Sequence, residues 1–161
     1  MTTARDIMTE NPEFVFHDDD LGLVAKRLRD LNVGSLPVCK NGKLVGIVTD
    51  RDIVTKVLAE DRNPSLVRAE ELTQGEAITI GADDDAREIL RTMTSHQVRR
   101  LPVIDGHQLV GIVALADVAQ NLPDAQVGEL VEALSSESPI RGKAEAFIDK
   151  VKDTVHDATE R

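Results

Sequence analysis

Residues 36–48 read LPVCKNGKLVGIV, and residues 101–113 read LPVIDGHQLVGIV. The second stretch begins 65 residues after the first, and the same frame continues outward without a gap. Val33 falls on Val98, Leu28 on Met93, Val24 on Ile89, Asp19 on Asp84 and Asp52 on Asp117. The chain is therefore built from two copies of one unit. A repeated unit cannot bury its apolar face alone and packs against its copy. A site at the seam then comes as a related pair.

Within the first copy, Ser35 to Cys39 reads as a short apolar strand. Asn41-Gly42 is a hairpin turn, since both residues accept positive φ. Leu44 to Val48 returns as a continuous apolar strand that ends at Thr49. In the second copy Asp105-Gly106 makes the turn one position earlier in the aligned frame, so the two hairpins are expected to differ by a bulge. That strand ends at Ala114. Asp50 to Leu58 and Leu115 to Leu122 read as helices.

Another helix precedes each hairpin. Asp18, Asp19 and Asp20 lead into Leu21, Val24, Ala25, Leu28 and Leu31, one apolar helical face. Asp83, Asp84 and Asp85 lead likewise into Ala86, Ile89, Leu90 and Met93. Such aspartate runs could suggest a metal, but carboxylates before an apolar helical stripe read first as caps that also suit the helix dipole.

Each unit is thus strand, helix, strand, strand, helix. The fold class is α+β, with a mixed sheet and helices on one face. The expected boundaries are 4–58 for the first unit, 59–70 for a linker broken by Asn63-Pro64, and 71–122 for the second unit. Residues 123–161 form an extension expected to be helical. Val127, Leu130, Val131 and Leu134 make one stripe there. Ala144, Phe147, Ile148, Val151 and Val155 make another, over 143–158. The second has no counterpart in the repeat and is expected to form a helix that contacts a partner.

Composition excludes several classes. A net charge of −10 over 161 residues argues against non-specific nucleic-acid binding. The chain has no Trp or Tyr to stack bases. No run of 18 apolar residues is present, and the N-terminus MTTARDIMTENPEF lacks the apolar core of a secretory signal. Cys39 is the one cysteine, which suits a reducing compartment. The expectation is a cytoplasmic protein with neither membrane nor nucleic acid as partner.

Nothing in the sequence supports catalysis. No nucleophile has an adjacent base, and no phosphate-binding Walker loop is present. His17, His96, His107, His156 and Cys39 show no recognised ligand spacing, so no metal is assigned. Thr49 and Asp52 form a helix-capping arrangement. In the second copy Ala114 removes the capping side chain, while Asp117 still favours the helix dipole.

The paired LPV and LVGIV strands, TDRD at 49–52, ALAD at 114–117 and the opening RDIMT at 5–9 resemble a tandem pair of CBS domains, or Bateman module. The resemblance covers about residues 4–121. It is nearest to small stand-alone actinobacterial proteins of hypoxia and dormancy. It implies two units packed through their sheets with pseudo-twofold symmetry. It also implies an adenosine-containing ligand such as AMP, ADP or ATP in the clefts between them, although no cofactor is certain.

By that resemblance Gly46, Ile47, Val48, Thr49 and Asp52 carry the family pattern, with Asp52 on the ribose and Thr49 on phosphate or ribose. Val33, Leu36, Pro37 and Val38 would flank the base. Pro102 and Asp117 belong to the second cleft. Arg51, Arg99 and Arg100 are the candidate phosphate partners. Ala114 departs from the pattern, so the Thr49–Asp52 cleft is expected to bind more tightly. The resemblance further implies a homodimer, a flat four-unit disc joined through the helical faces at 21–31 and 86–93. The function it implies is regulation of an unidentified partner protein. The alternative is a ligand-independent, stress-associated interaction protein that uses its C-terminal helices.

Overall fold

The repeated stretch folds as a hairpin in both copies of the computed structural model. The structure describes residues 1–73, 75, 77–128 and 132. The first copy opens with α1 (Ala4–Ile7), β1 (Thr9–Glu10) and β2 (Val15–Phe16), followed by α2 (Leu21–Leu31). Its hairpin is β3 (Ser35–Lys40) and β4 (Lys43–Thr49). Then come α3 (Asp50–Ile53), a π-helical turn (Val54–Leu58) and two 3-10 turns (Pro64–Leu66 and Ala69–Leu72). The second copy repeats the plan with β5 (Ile80–Gly81), α4 (Ala86–His96), β6 (Arg100–Asp105), β7 (Gln108–Ala114) and α5 (Leu115–Asn121).

The expected caps are in place. The Asp20 carboxylate accepts from the Leu23 amide at 3.0 Å, and Asp85 accepts from Arg87 and Glu88. Asp19 and Asp84 each hold a backbone amide at 2.8 Å, those of Phe16 and Gly81. Helices α2 and α4 end at Asn32 and Gln97, both in the left-handed region with φ of 54° and 53°.

Two local expectations are corrected. The hairpins share one register: Lys40 pairs with Lys43, and Asp105 with Gln108. Both also carry a register shift at equivalent places, between Val38 and Cys39 and between Val103 and Ile104. They therefore do not differ by a bulge. The difference lies in the turn: Asn41 and Gly42 both have positive φ, whereas in the second turn Gly106 alone does. Glycine has moved to the first loop position, where a lone positive φ is needed, and His107 follows it. The helix expected over 50–58 also changes character at Val54, and its π-helical part leaves Val54 and Leu58 exposed while Val57 stays buried.

The strands join in one sheet of order β2-β3-β4-β7-β6-β5. β2–β3 and β5–β6 are parallel, and the hairpins are antiparallel, so the sheet is mixed. The copies meet where Lys43 pairs with Gln108, residues equivalent by the repeat. A pseudo-twofold axis therefore passes through that pair. Val15, Leu21, Val24, Leu28, Leu36, Val38, Val48 and Val57 fill the first copy's core.

The copies exchange their leading segments. Ala4 and Arg5 donate to the carbonyls of Asp84 and Ala82, so α1 is tied to the second copy, and β1 pairs with β7. Ala69 and Glu70 donate to Asp19 and His17 of the first copy. The segment before each unit is thus bound to the other copy. The expected boundary at residue 71 falls inside the 3-10 turn Ala69–Leu72, which lies on the first copy through these bonds.

Residues 123–161 form a separate unit, in which 124–128 are helical. Leu130, Val131, Leu134 and the stripe from Ala144 to Val155 lie outside the described residues.

Candidate ligand-binding site

The exchange of segments and the antiparallel seam decide which side chains share a cleft. Pro37 pairs with Ile47, and Pro102 with Ile112. These four residues are equivalent in pairs and lie beside the pseudo-twofold axis. All four line a cavity of about 440 Å³. Its walls also include Leu31, Val33, Ser35 and Leu36 from the first copy, Arg100, Ala114 and Asp117 from the second, and Thr9 and Glu13 from the leading segment. An apolar cleft of this size with a few convergent polar groups is the ordinary form of a small-molecule site.

Of the expected site residues, this cavity gathers Val33, Leu36, Pro37, Arg100, Pro102 and Asp117. It does not contain Thr49, Asp52, Arg51 or Arg99. In this cavity Val33, Leu36 and Pro37 lie with Asp117 rather than with Asp52. The apolar wall of the first copy shares this cavity with the acidic residue of the second. A sequence read copy by copy groups each wall with the acidic residue of its own copy.

The counterpart cleft holds a smaller cavity of about 260 Å³, lined by Gly46, Ile47, Thr73, Gly75, Ala77, Ile78, Val98 and Arg100. Val98 is the counterpart of Val33. Thr49 and Asp52 do not line this cavity either.

The two aspartates are in different states. The Thr49 hydroxyl accepts from the Asp52 amide at 3.0 Å, the capping role that its spacing suggests. The Asp52 carboxylate pairs with Lys56 Nζ at 3.0 Å, one turn along the same helix. Asp117 instead accepts from the Ala114 amide at 2.8 Å, the reciprocal half of a capping box, while no side chain at position 114 caps the helix. Lys56 has Asn121 as its repeat counterpart, and Asn121 donates to the Asp117 backbone carbonyl. Asp117 therefore meets no cation on its own helix, and it is half-buried at the cavity wall.

Arg51 is exposed, with its amide donating to Asp50. Arg99 is also exposed, and its carbonyl accepts from Leu115. Glu13 is a wall residue that sequence reasoning missed. Its carboxylate is held by Arg27 Nη2 at 2.5 Å, and Arg27 also donates to the Phe14 carbonyl. Nothing local in the sequence marks Glu13, because it reaches the cleft only through the crossover of the leading segment.

Two equivalent clefts at the seam of paired hairpin repeats define a class: the chain belongs to the CBS domain family, whose pattern matches residues 4–59 and 69–124. Within it, Hypoxic response protein 1 of Mycobacterium tuberculosis is 42% identical over 137 residues, 84% of this chain and 96% of that protein. CBS domain-containing protein YhcV of Bacillus subtilis is 34% identical over 121 residues, 75% of this chain and 86% of that one. The crystal structure of Hypoxic Response Protein I with two coordinated zinc ions has a TM-score of 0.71 at 43% identity, covering 76% of this chain and all of that one. A CBS domain pair in complex with 5′-methylthioadenosine and S-adenosyl-L-methionine has a TM-score of 0.61 at 30% identity, covering 75% of this chain and 95% of that one.

A zinc site finds no donor set among the described residues of this chain, where no group of three or more His, Cys, Asp or Glu is placed to hold a metal. Cys39 is buried in β3, and burial pushes its thiol pKa up, away from the thiolate a metal needs. His17 faces Glu70 at 3.1 Å, and His96 lies against the Thr92 carbonyl. His156 lies outside the described residues. No helix among the described residues is long and apolar enough to cross a membrane.

Proposed function

We propose that this protein is a regulatory module that binds an adenosine-containing ligand at its seam and takes part in a stress response. The observation that carries the reading is the 440 Å³ cavity that sets Val33, Leu36 and Pro37 against Pro102, Ile112 and Asp117. The apolar walls suit the two faces of a purine. The Asp117 carboxylate, free of any cation on its helix, suits the two ribose hydroxyls. Arg100 suits a phosphate. The stress role rests on the likeness to Hypoxic response protein 1, and the ligand class on the complex with adenosine compounds. The larger cleft is the tighter one in this reading, the reverse of the expectation from the Thr-x-x-Asp pattern.

Regulation works by population shift: a ligand favours whichever arrangement of the two copies it binds better. The partner that reads this arrangement is a protein. A second copy of the chain joins the assembly through the apolar face of α2 and the π-helical turn, where a groove is lined by Ala25, Leu28, Ile53, Val54 and Leu58.

Thermal shift tests the ligand. AMP, ADP, ATP, S-adenosylmethionine and NADH are each added to the full chain. A compound at about 100 times its Kd adds about 2.7 kcal/mol to stability. At least one is expected to raise the Tm. If none does at millimolar concentration, the adenosine reading is wrong.

A further inference from the structure

Arg100 and Ile47 line both cavities. The repeat pairs Arg100 with Ser35, so the second copy supplies a cation at the axis and the first does not. Arg5, Arg27, Arg29, Arg62 and Arg91 each pair with a carboxylate. Among the described residues Arg100 pairs with none. In the larger cavity the other charged wall residues are Glu13, already held by Arg27, and Asp117. In the smaller cavity Arg100 is the one charged group among the described lining residues.

We propose that Arg100 is a single phosphate receptor shared by the two clefts, so that one bound nucleoside monophosphate weakens the binding of a second. The proposal rests on the adenosine reading above. A guanidinium has one planar fork and holds one phosphate well. Once it turns into one cleft, the other keeps its apolar walls but loses its cation. A second phosphate then enters a protein of net charge −10 with no other cation among the described lining residues to meet it. Adenosine has no phosphate and leaves the clefts uncoupled. The arginine would thus make the module respond in two stages to an anionic ligand, and in the manner of two separate sites to a neutral one.

Calorimetry on the full chain at low salt tests this with adenosine and AMP as probes. The two adenosine constants give the clefts' own difference in affinity. For AMP the ratio of first to second constant should exceed the adenosine ratio by about tenfold or more, the scale of one hydrogen bond to a charged group. In Arg100→Ala the two ratios should coincide, and the first AMP constant should fall by about tenfold. Arg100→Lys should keep part of both effects. Arg100 is exposed, so an unchanged Tm in these variants is expected and checks that they fold. Equal ratios for AMP and adenosine in the parent protein would overturn the proposal and leave the adenosine reading standing. So would an Arg100→Ala variant that binds both AMP molecules as the parent does. Binding of neither probe would overturn both.

Discussion

Asp52 and Asp117 occupy the same position in the repeat, yet their surroundings set them different tasks. Lys56 holds the Asp52 carboxylate at 3.0 Å, so a ribose would have to displace that pair before Asp52 could serve it. Asp117 has one oxygen on the Ala114 amide and faces the larger cavity. Replacing Asp117 by alanine is expected to weaken binding of an adenosine ligand by about 1–3 kcal/mol, and Asp52→Ala to cost clearly less. Calorimetry on the two variants decides it, and a larger loss in Asp52→Ala would return the main site to the Thr49 cleft. At this scale the sequence made the caps legible, because a cap is a bond across three residues. It ranked Asp117 below Asp52, because Ala114 removes the usual hydroxyl. It could not show Lys56 engaging Asp52 or Glu13 entering the wall, since the first depends on a rotamer choice and the second on where the chain crosses.

The elements that cross are held by matching devices. Asp6 accepts from the Thr3 amide at 2.8 Å, and its repeat counterpart Glu71 accepts from the Arg68 amide at 2.7 Å. These bonds hold both carboxyls below their usual pKa. A carboxyl lowered in the folded state stabilises above its unfolded pKa and loses that contribution as pH falls through the folded value. Stability should therefore decline below about pH 4, and Asp6→Asn with Glu71→Gln should flatten the decline. Denaturant titrations from pH 7 to pH 3 measure it, and an unchanged slope in the double variant would count against a stabilising role for these two bonds. The crossing segments also explain two glycines. A Cβ at Gly46 would run into the branched Thr73 side chain, and one at Gly111 into Met8. Overpacking costs about 1–3 kcal/mol. Gly46→Ala should lower the Tm more than Gly111→Ala, because flexible Met8 can move aside and Thr73 cannot. Equal losses would mean that both crossings yield alike. Strands, turns and helices were readable here from period and turn chemistry, whereas the exchange was not. A 65-residue repeat says which residues are equivalent, not to which copy each leading segment is bonded.

Seen as a whole molecule, the repeat predicts pseudo-symmetry, and the pairing of Lys43 with Gln108 on the axis shows it. The outer surface breaks that symmetry. The expectation placed apolar surplus on both helical faces, but Leu23, Leu31, Val54 and Leu58 are the exposed large apolar residues there, all from the first copy. Their counterparts in the repeat are Glu88, His96, Ala119 and Pro123. The sequence contains this contrast, but it becomes visible only when the packing shows which helix positions point outward. A one-sided patch favours one isologous contact, in which the same surface of each subunit meets its twin, over a disc sealed on both faces. Light scattering at micromolar concentration should find two copies of the 17.6 kDa chain. Charging the patch by Val54→Asp with Leu58→Asp places unpaired carboxylates in the contact, where burial is costly, and should yield the single chain. Ala119→Asp, at the counterpart position, should leave the dimer intact. Circular dichroism keeps the comparison sound, since Val54 and Leu58 are both more than half exposed and their replacement should not unfold the subunit. A parent protein that scatters as one chain would remove the dimer. A dimer broken only by the Ala119 change would move the contact to the second copy.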